Sequence, residues 1–575
     1  YMMTSNAEEE FIVMTPKSKT QNSTLLKMER IKSKHIKNNP NYHIAGGDHT
    51  GLIINKAPIL EEEKKECTSH ISLEFKVFLV SAGTNIHTQE NRKLWFWFKR
   101  EVPEIKQRKI AQEFFQELVC PAEFPRNYTG FITKVMKLMQ NRYVGIKRLE
   151  IKMTQVESSM ESLRCPIAIE ETYSDDLDEL SDHKILEVIE SAYPNPINPE
   201  NIAKQLSRPV DDLTPFIQEL RSKGLIKALD NGALTRVTQD EKEIRVVRQM
   251  PVIHRAKQPT IAIITAQYCE KLAVDAMIEN TETYVRYTTV GESNVYTLGN
   301  IGPHRVVSTK LPTVGHSRGA LIASGNTTTR LLGTFQKVEH VFLVGVGGGV
   351  PNFTDYYSHV RLGDIVISSP TNGNRFIYMF CDELRELDDG GYQFETKSWG
   401  PPCLELQSIS EELTKQNSPK APWLAFYQQG LKQLTNEEAD FQKPSSGSDK
   451  LYMSIGGKDL IEVAHPECPA GGYDDRKDGC PRVHLAPIAS GKHLVANDQA
   501  RLEFASRVGI LAFDSEFDAV VESIYGNRKD NYIIIRGISD YKDGSRKREW
   551  QPYASLLAAS FMKTIICNLD PISDD

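Results

Sequence analysis

At 575 residues, with 25% of them charged and a formal net charge of −7, the chain has the composition of a globular protein and is too long for one core, so roughly two to four domains are expected. The mildly negative balance gives no global attraction to nucleic acid or to a membrane surface. There is no apolar run of about 18 residues, the first residues lack the apolar core of a signal peptide, and the nine scattered cysteines form no Cys-x-x-Cys pair, so a reducing compartment is expected: the cytoplasm, with the nucleus as the alternative.

Residues 1–68 are Lys-rich and weakly patterned and read as a disordered or loosely attached tail. The basic run Lys27 to Lys37 reads as a solvated tail in preference to a nuclear address. Residues 69–153 tighten into a small α+β module. Ile71 to Val80 and Lys93 to Lys99 alternate as strands, Lys106 to Leu118 and Thr129 to Asn141 have helical spacing, and Val144 to Met153 forms a third strand. The Trp95-Phe-Trp-Phe98 run with its basic flanks reads as a half-buried strand in preference to a base-stacking platform. Residues 154–180 are an acidic linker.

Residues 181–240 predict three helices followed by a hairpin. The helices cover Lys184 to Ala192, Pro199 to Leu206, and a third capped by Asp211 or Asp212 and ended by Gly224. Asp230-Asn-Gly232 marks the hairpin turn. This order resembles a winged helix-turn-helix. Between Asp182 and Val237 seven Lys and Arg face eight Asp and Glu, which leaves little phosphate affinity, so a protein-interaction or oligomerisation role is favoured over DNA binding.

A charged connector, residues 241–258, precedes a long α/β unit at 259–570. Its first buried strand, Thr260 to Ala266, leads into a helix that contains Glu270. The strand from Val341 runs into the glycines 345 and 347–349, whose backbone admits close approach of a ligand. A later strand delivers Asp514, Glu516 and Asp518. The last apolar strand breaks at Gly537 and presents Ser539, Asp540 and Asp543. A carboxylate at the carboxyl end of a buried parallel strand is placed for chemistry. From that stretch by itself, capping of the next helix is the commoner role for Asp540, and a solvent-facing first-turn glutamate is the plain reading of Glu270. Residues 405–486 hold His465, Cys468 and Cys480 without a zinc-ligand spacing and read as a structural insertion, so no metal is expected.

Seven segments in order over residues 260–569 resemble the purine nucleoside phosphorylase and methylthioadenosine/adenosylhomocysteine nucleosidase superfamily. They are the first strand with Glu270, Val314-Gly-His-Ser-Arg-Gly319, Val344-Gly-Val-Gly-Gly-Gly-Val-Pro351, Val360-Arg-Leu-Gly-Asp-Ile-Val-Ile-Ser368, Ile488-Ala-Ser-Gly491, Asp514-Ser-Glu516 and Arg536-Gly-Ile-Ser-Asp-Tyr-Lys-Asp543. With Trp550-Gln-Pro-Tyr-Ala554, the set looks closest to the phosphorylase-like domains of multidomain defence proteins, some of which cleave the N-glycosidic bond of ATP. The resemblance implies an α/β fold with a central mixed sheet flanked by helices, no cofactor, and a homo-oligomer, dimeric or hexameric. It implies Asp540 as general acid to purine N7, Glu516 as acceptor from the ribose hydroxyls, and Glu270 as the carboxylate that positions water. Gly347, Gly348, Ser490, Gly491, Leu494 and Ser515 would line the base and ribose site.

Two departures from the family bear on substrate. Lys492 replaces an aspartate, and Arg318 replaces an apolar residue beside the ribose. A guanidinium there suits a 5′-phosphorylated substrate, with His316, Arg361 and the run Arg546-Lys-Arg548 as further candidates for a phosphate cradle. The expected function is hydrolysis of a purine nucleotide, ATP first, as an immune or stress effector. The alternatives are a phosphorylase and a nucleotide-sensing regulator.

Overall fold

The structure is a computed structural model. It describes residues 9–36, 39–46, 52–57, 68–80, 87–156, 180–238, 244–287, 293–312, 318–371, 373–388, 390–415, 421–456, 459–476, 479–515, 517–546 and 548–571. His316, Glu516, Lys547 and most of the acidic linker lie outside the described residues. The chain divides into two compact units: residues 1–177 with 352–359 and 450–474, and the remainder from 178 onward.

The first unit is built on a sheet of nine strands. Ile71–Val80, His87–Phe98 and Ile146–Gln155 are neighbouring antiparallel strands, as the alternation predicts. Leu94, Phe96 and Phe98 point to one face and are buried, as are Phe114 and Phe115 of the Glu104–Leu118 helix and Phe131 of the Tyr128–Asn141 helix. The edge of the Phe96 ring meets Phe114 at 5.6 Å. Trp95 and Trp97 alternate with these phenylalanines and are half-buried, with Lys93 and Arg148 over their rings.

Two expectations are corrected here. Residues 10–32 are not a loose tail: Glu10–Lys19 and Ser23–Lys32 pair as a hairpin inside the sheet, burying Ile12, Leu26 and Met28. Ile12 and Val13 are buried side by side, so the stretch lacks a clean alternation, and its Lys, Ser and Thr residues give it a tail-like composition. Nor does the insertion at 405–486 stay within one unit. Leu460–Val463 pairs antiparallel with Phe75 to Phe78 in the first unit's sheet, and Leu451–Ser454 adds the edge strand. Strands of four residues show period two but no partner. His465 belongs to this part, where its Nδ1 lies 2.8 Å from His359 Nε2. His359 Nδ1 accepts the Asn352 N–H, so Nε2 of His359 carries the proton and donates. No group of His, Cys, Asp or Glu suited to a metal occurs among the described residues.

In the second unit, the helices Asp182–Ala192, Pro199–Leu206 and Val210–Ser222 enclose Ile185, Ile189, Ile202, Leu213 and Leu220, and the hairpin Ile226–Ala228 with Leu234–Arg236 completes the core. The third helix begins after Pro209, with Asp211 and Asp212 in its first turn making no side-chain cap, so neither is the cap residue. Gly224 ends it at φ +70, a conformation that suits glycine.

A mixed sheet of 13 strands, flanked by helices, forms the rest. Its centre is a parallel ladder in which Ile261–Thr265 lies between His304–Lys310 and His340–Gly349, and the latter also pairs with Asn531–Asp540. All ten residues of His340–Gly349 and of Asn531–Asp540 are buried, as expected of central strands covered on both faces. The Gln551–Cys567 helix is buried from Pro552 to Ile566 and covers one face. Because these strands are parallel, their carboxyl ends converge. They bring Ala266, Gly345 to Gly349 and Asp540 to one edge. No helix among the described residues is long and apolar enough to cross a membrane.

Candidate active site

Glu270 is the third residue of the Tyr268–Asp275 helix and closes a capping box with Gln267. It is only 3% exposed, so the solvent-facing reading does not apply. Its Oε2 accepts the N–H groups of Ala266 at 2.7 Å and Gln267 at 2.8 Å, and its Oε1 accepts Val346 N–H at 2.9 Å from the neighbouring strand. Burial pushes the carboxyl above its ordinary range, while Arg536 and these N–H groups pull it back. Gly345 has no room for a side chain, since a Cβ there would run into the Glu270 carboxylate.

Asp540 ends the Asn531–Asp540 strand and is 2% exposed. Oδ1 accepts Lys542 N–H at 2.8 Å and Gly544 N–H at 2.9 Å, and Oδ2 accepts Arg546 N–H at 2.7 Å. The carboxylate is thus the hub of the loop 540–546. It does not cap the following helix, whose N-cap is Trp550. Asp543 accepts from the N–H and hydroxyl of Ser545 and caps no helix either. Burial and the neighbouring Asp543 push the Asp540 carboxyl up, against the three N–H donors.

The loop returns over the glycine strand. A Cβ on Gly348 would enter the backbone of Lys542, and one on Gly347 would lie 2.9 Å from Phe513 O. Ser515 reaches Asp543 O at 3.5 Å. Ser490 is fully buried, with its Oγ 2.7 Å from the Tyr378 hydroxyl. Gly491 takes φ +153, and a Cβ there would meet Cys381 O at 2.8 Å. Leu494 is fully buried in an apolar cluster with Ala489, Phe504 and Phe513.

Arg318 is exposed at the start of the Arg318–Thr334 helix. Arg361 is held by Asp449, with Nε at 2.9 Å and Nη2 at 2.8 Å from Oδ2, while Asp449 Oδ1 accepts the Tyr541 hydroxyl at 2.7 Å. Arg361 lines a cavity of about 150 Å³ together with Asp364 and Arg476. The Arg476 guanidinium and His484 hold Asp364 well below the usual carboxylate range, against its burial. Arg546 contributes its backbone N–H to Asp540, and Arg548 pairs with Glu187 of the winged helix.

A buried triad escaped the sequence reading. Asp514 accepts from Arg536 Nε at 3.2 Å and Nη2 at 3.0 Å, and lies 2.9 Å from the Tyr378 hydroxyl. Tyr378 also accepts Phe517 N–H at 2.8 Å. The Arg536 guanidinium sits 4.3 Å from the centroid of the Phe517 ring. A cation inside the apolar run Ile533-Ile-Ile-Arg536 is a legible anomaly, since such a charge needs a buried partner. Nothing in the sequence marks Tyr378. Glu270, Asp514, Asp540 and Asp543 are all buried at this edge. Burial pushes the carboxyls of Glu270, Asp514 and Asp540 above their ordinary range, against Arg536 for the first two and against backbone N–H donors for Asp540, and such shifts equip a site for acid and base chemistry.

Comparison with known proteins identifies residues 170–238 with the family described as a winged helix-turn-helix domain. A nucleotide-binding leucine-rich repeat (NLR)-like protein of Hyaloscypha variabilis is 26% identical over 318 residues, 54% of this chain and 29% of the relative. The chain therefore spans under a third of that relative's length. Among solved structures, the 5′-methylthioadenosine/S-adenosylhomocysteine nucleosidase of Neisseria meningitidis covers 54% of the chain over 100% of its own, at 15% identity and a TM-score of 0.32. The futalosine hydrolase of Helicobacter pylori covers 55% over 100%, at 14% identity and a TM-score of 0.33.

Proposed function

We propose that the protein hydrolyses the N-glycosidic bond of a purine nucleotide, with ATP as the preferred substrate. The observation that carries this reading is the pair of buried carboxyls, Glu270 and Asp540, at one edge of the parallel ladder, both pushed upward by burial. As the C1′–N9 bond breaks, its electron pair goes to the base, and a proton from Asp540 to purine N7 neutralises the charge. Water adds its oxygen to C1′ and gives up a proton toward Glu270. Glu516 would hold the ribose hydroxyls as the sugar becomes oxocarbenium-like. The products are free purine and a ribose phosphate.

Arg318 is the proposed reader of the 5′ phosphates. The NLR-like relative is compatible with an effector role in defence or stress, with the winged helix as the controlling module. Asp540→Asn, which keeps the shape but holds no transferable proton, tests the assignment. The rate of base release is expected to fall about 10²-fold or more. Full activity in that variant removes Asp540 from the mechanism.

A further inference from the structure

The winged helix meets the α/β domain at the helix that carries Glu270. Lys310 ends the His304–Lys310 strand and is fully buried. Its Nζ donates to Ser191 O at 3.0 Å, Tyr193 O at 2.7 Å and Leu311 O at 2.9 Å. Ser191 lies in the last turn of the first helix of the winged helix, Asp182–Ala192, where carbonyls lack helical partners and the dipole favours a cation. An ammonium has three N–H donors, and here each has an acceptor. Burial brings Lys310 down to about 7 even against the upward pull of the Glu270 and Glu190 carboxyls.

Lys310 also lies within one residue of the Glu270 cradle. It sits opposite Thr265 in the parallel register, and Leu311 N–H donates to Thr265 O at 2.8 Å. The next residues, Ala266 and Gln267, are the ones whose N–H groups hold the Glu270 carboxylate. A second contact runs through Tyr268, the first residue of the Glu270 helix. The edge of its ring meets Tyr193 at 5.6 Å, and the Arg236 guanidinium lies 5.1 Å from its centroid. Arg236 is fixed in turn by Glu190, at 2.8 Å, and by the carbonyls of Leu225 and Val237. One module thus grips the end of the strand that pairs with Ile261–Thr265, the strand before Glu270, and the helix start beside it.

We propose that Lys310 and Tyr193 are positioning residues through which the winged helix sets the placement of Glu270, so that whatever binds or displaces the winged helix controls turnover. The catalytic half of this statement rests on Glu270 acting in nucleotide hydrolysis; the structural half does not. Misplacement of a reacting group by an ångström costs rate more than it costs ground-state binding.

The test uses the full chain and the variants Lys310→Met, Lys310→Arg and Tyr193→Leu, with amide hydrogen exchange and steady-state base release from ATP as paired readouts. Exchange in residues 266–276 is expected to rise about threefold or more in Lys310→Met and Tyr193→Leu, with no change in Tyr378–Glu386. In base release, kcat is expected to fall about tenfold with KM held, and Lys310→Arg to recover part of the loss. Exchange in 266–276 equal to the parent overturns the proposal, as does a rise of the same size in 378–386, which would mark general loosening. Should Lys310→Met fail to fold, Tyr193→Leu carries the same readout with the ammonium and its acceptors intact. If the parent releases no base at all, the nucleosidase reading fails, while the exchange comparison still decides the brace.

Discussion

Tyr378→Phe isolates the buried network behind the candidate site. The ring is fully buried, so phenylalanine keeps its packing against Trp399 and leaves no cavity. What is lost is one oxygen, which accepts Phe517 N–H at 2.8 Å and lies 2.7 Å from Ser490 Oγ and 2.9 Å from Asp514 Oδ1. A buried N–H left without an acceptor costs about 1–3 kcal/mol, and a hydrogen bond to a charged group contributes about 1.5–3 kcal/mol. Because these partners share one network the two losses overlap, and a net destabilisation of roughly 2–4 kcal/mol is expected. Urea unfolding of the parent and the variant measures it. The loss should appear as a lower midpoint at unchanged slope. A change below about 0.5 kcal/mol, the range of ordinary surface substitutions, would refute the claim that this hydroxyl organises the Asp514–Arg536 pair.

Two further predictions concern neighbouring features. Asp540 has a raised carboxyl, so the folded chain holds a proton that the unfolded chain releases; its contribution to stability is complete below the ordinary carboxylate range and is lost as pH rises through the raised value. Unfolding free energy measured from about pH 4 to 7 should therefore fall less steeply in Asp540→Asn than in the parent, and identical slopes would contradict the assignment. Gly345→Ala pushes a methyl group into the Glu270 carboxylate, so base release should drop about 10²-fold or the chain should lose about 1–3 kcal/mol of stability; a neutral outcome in both would show that Glu270 is free to move away.

How much could be read in advance follows from the kind of signal each element carries. Ile71–Val80 was legible to the residue, because a clean alternation of apolar and polar positions survives any partner. The hairpin of residues 10–32 buries the neighbours Ile12 and Val13 and so lacks that alternation, its Lys and Ser give it the composition of a tail, and pairing with Ile146–Gln155 sets it inside the sheet. Leu460–Val463 was placed in the wrong unit for a related reason, since nothing in four residues names Phe75 to Phe78 as the partner. At the site, the local pattern of Asp540 and Glu270 reads as a helix cap and a first-turn glutamate, and only the resemblance of seven ordered segments assigns them catalytic roles. Burial raises their carboxyls, and the N–H groups that hold them against it belong to Val346, Gly544 and Arg546, distant or looped-back backbone groups that no local pattern displays. Arg536 was visible as a charge in an apolar run, whereas Tyr378 and Lys310 acquire their roles only through contacts across the fold.

The most direct measurement is to incubate the full chain with ATP in phosphate-free buffer and to separate the products by chromatography. The account predicts adenine and ribose 5-triphosphate in equal amounts. Intact ATP would contradict it, and so would adenine that forms only when inorganic phosphate is added.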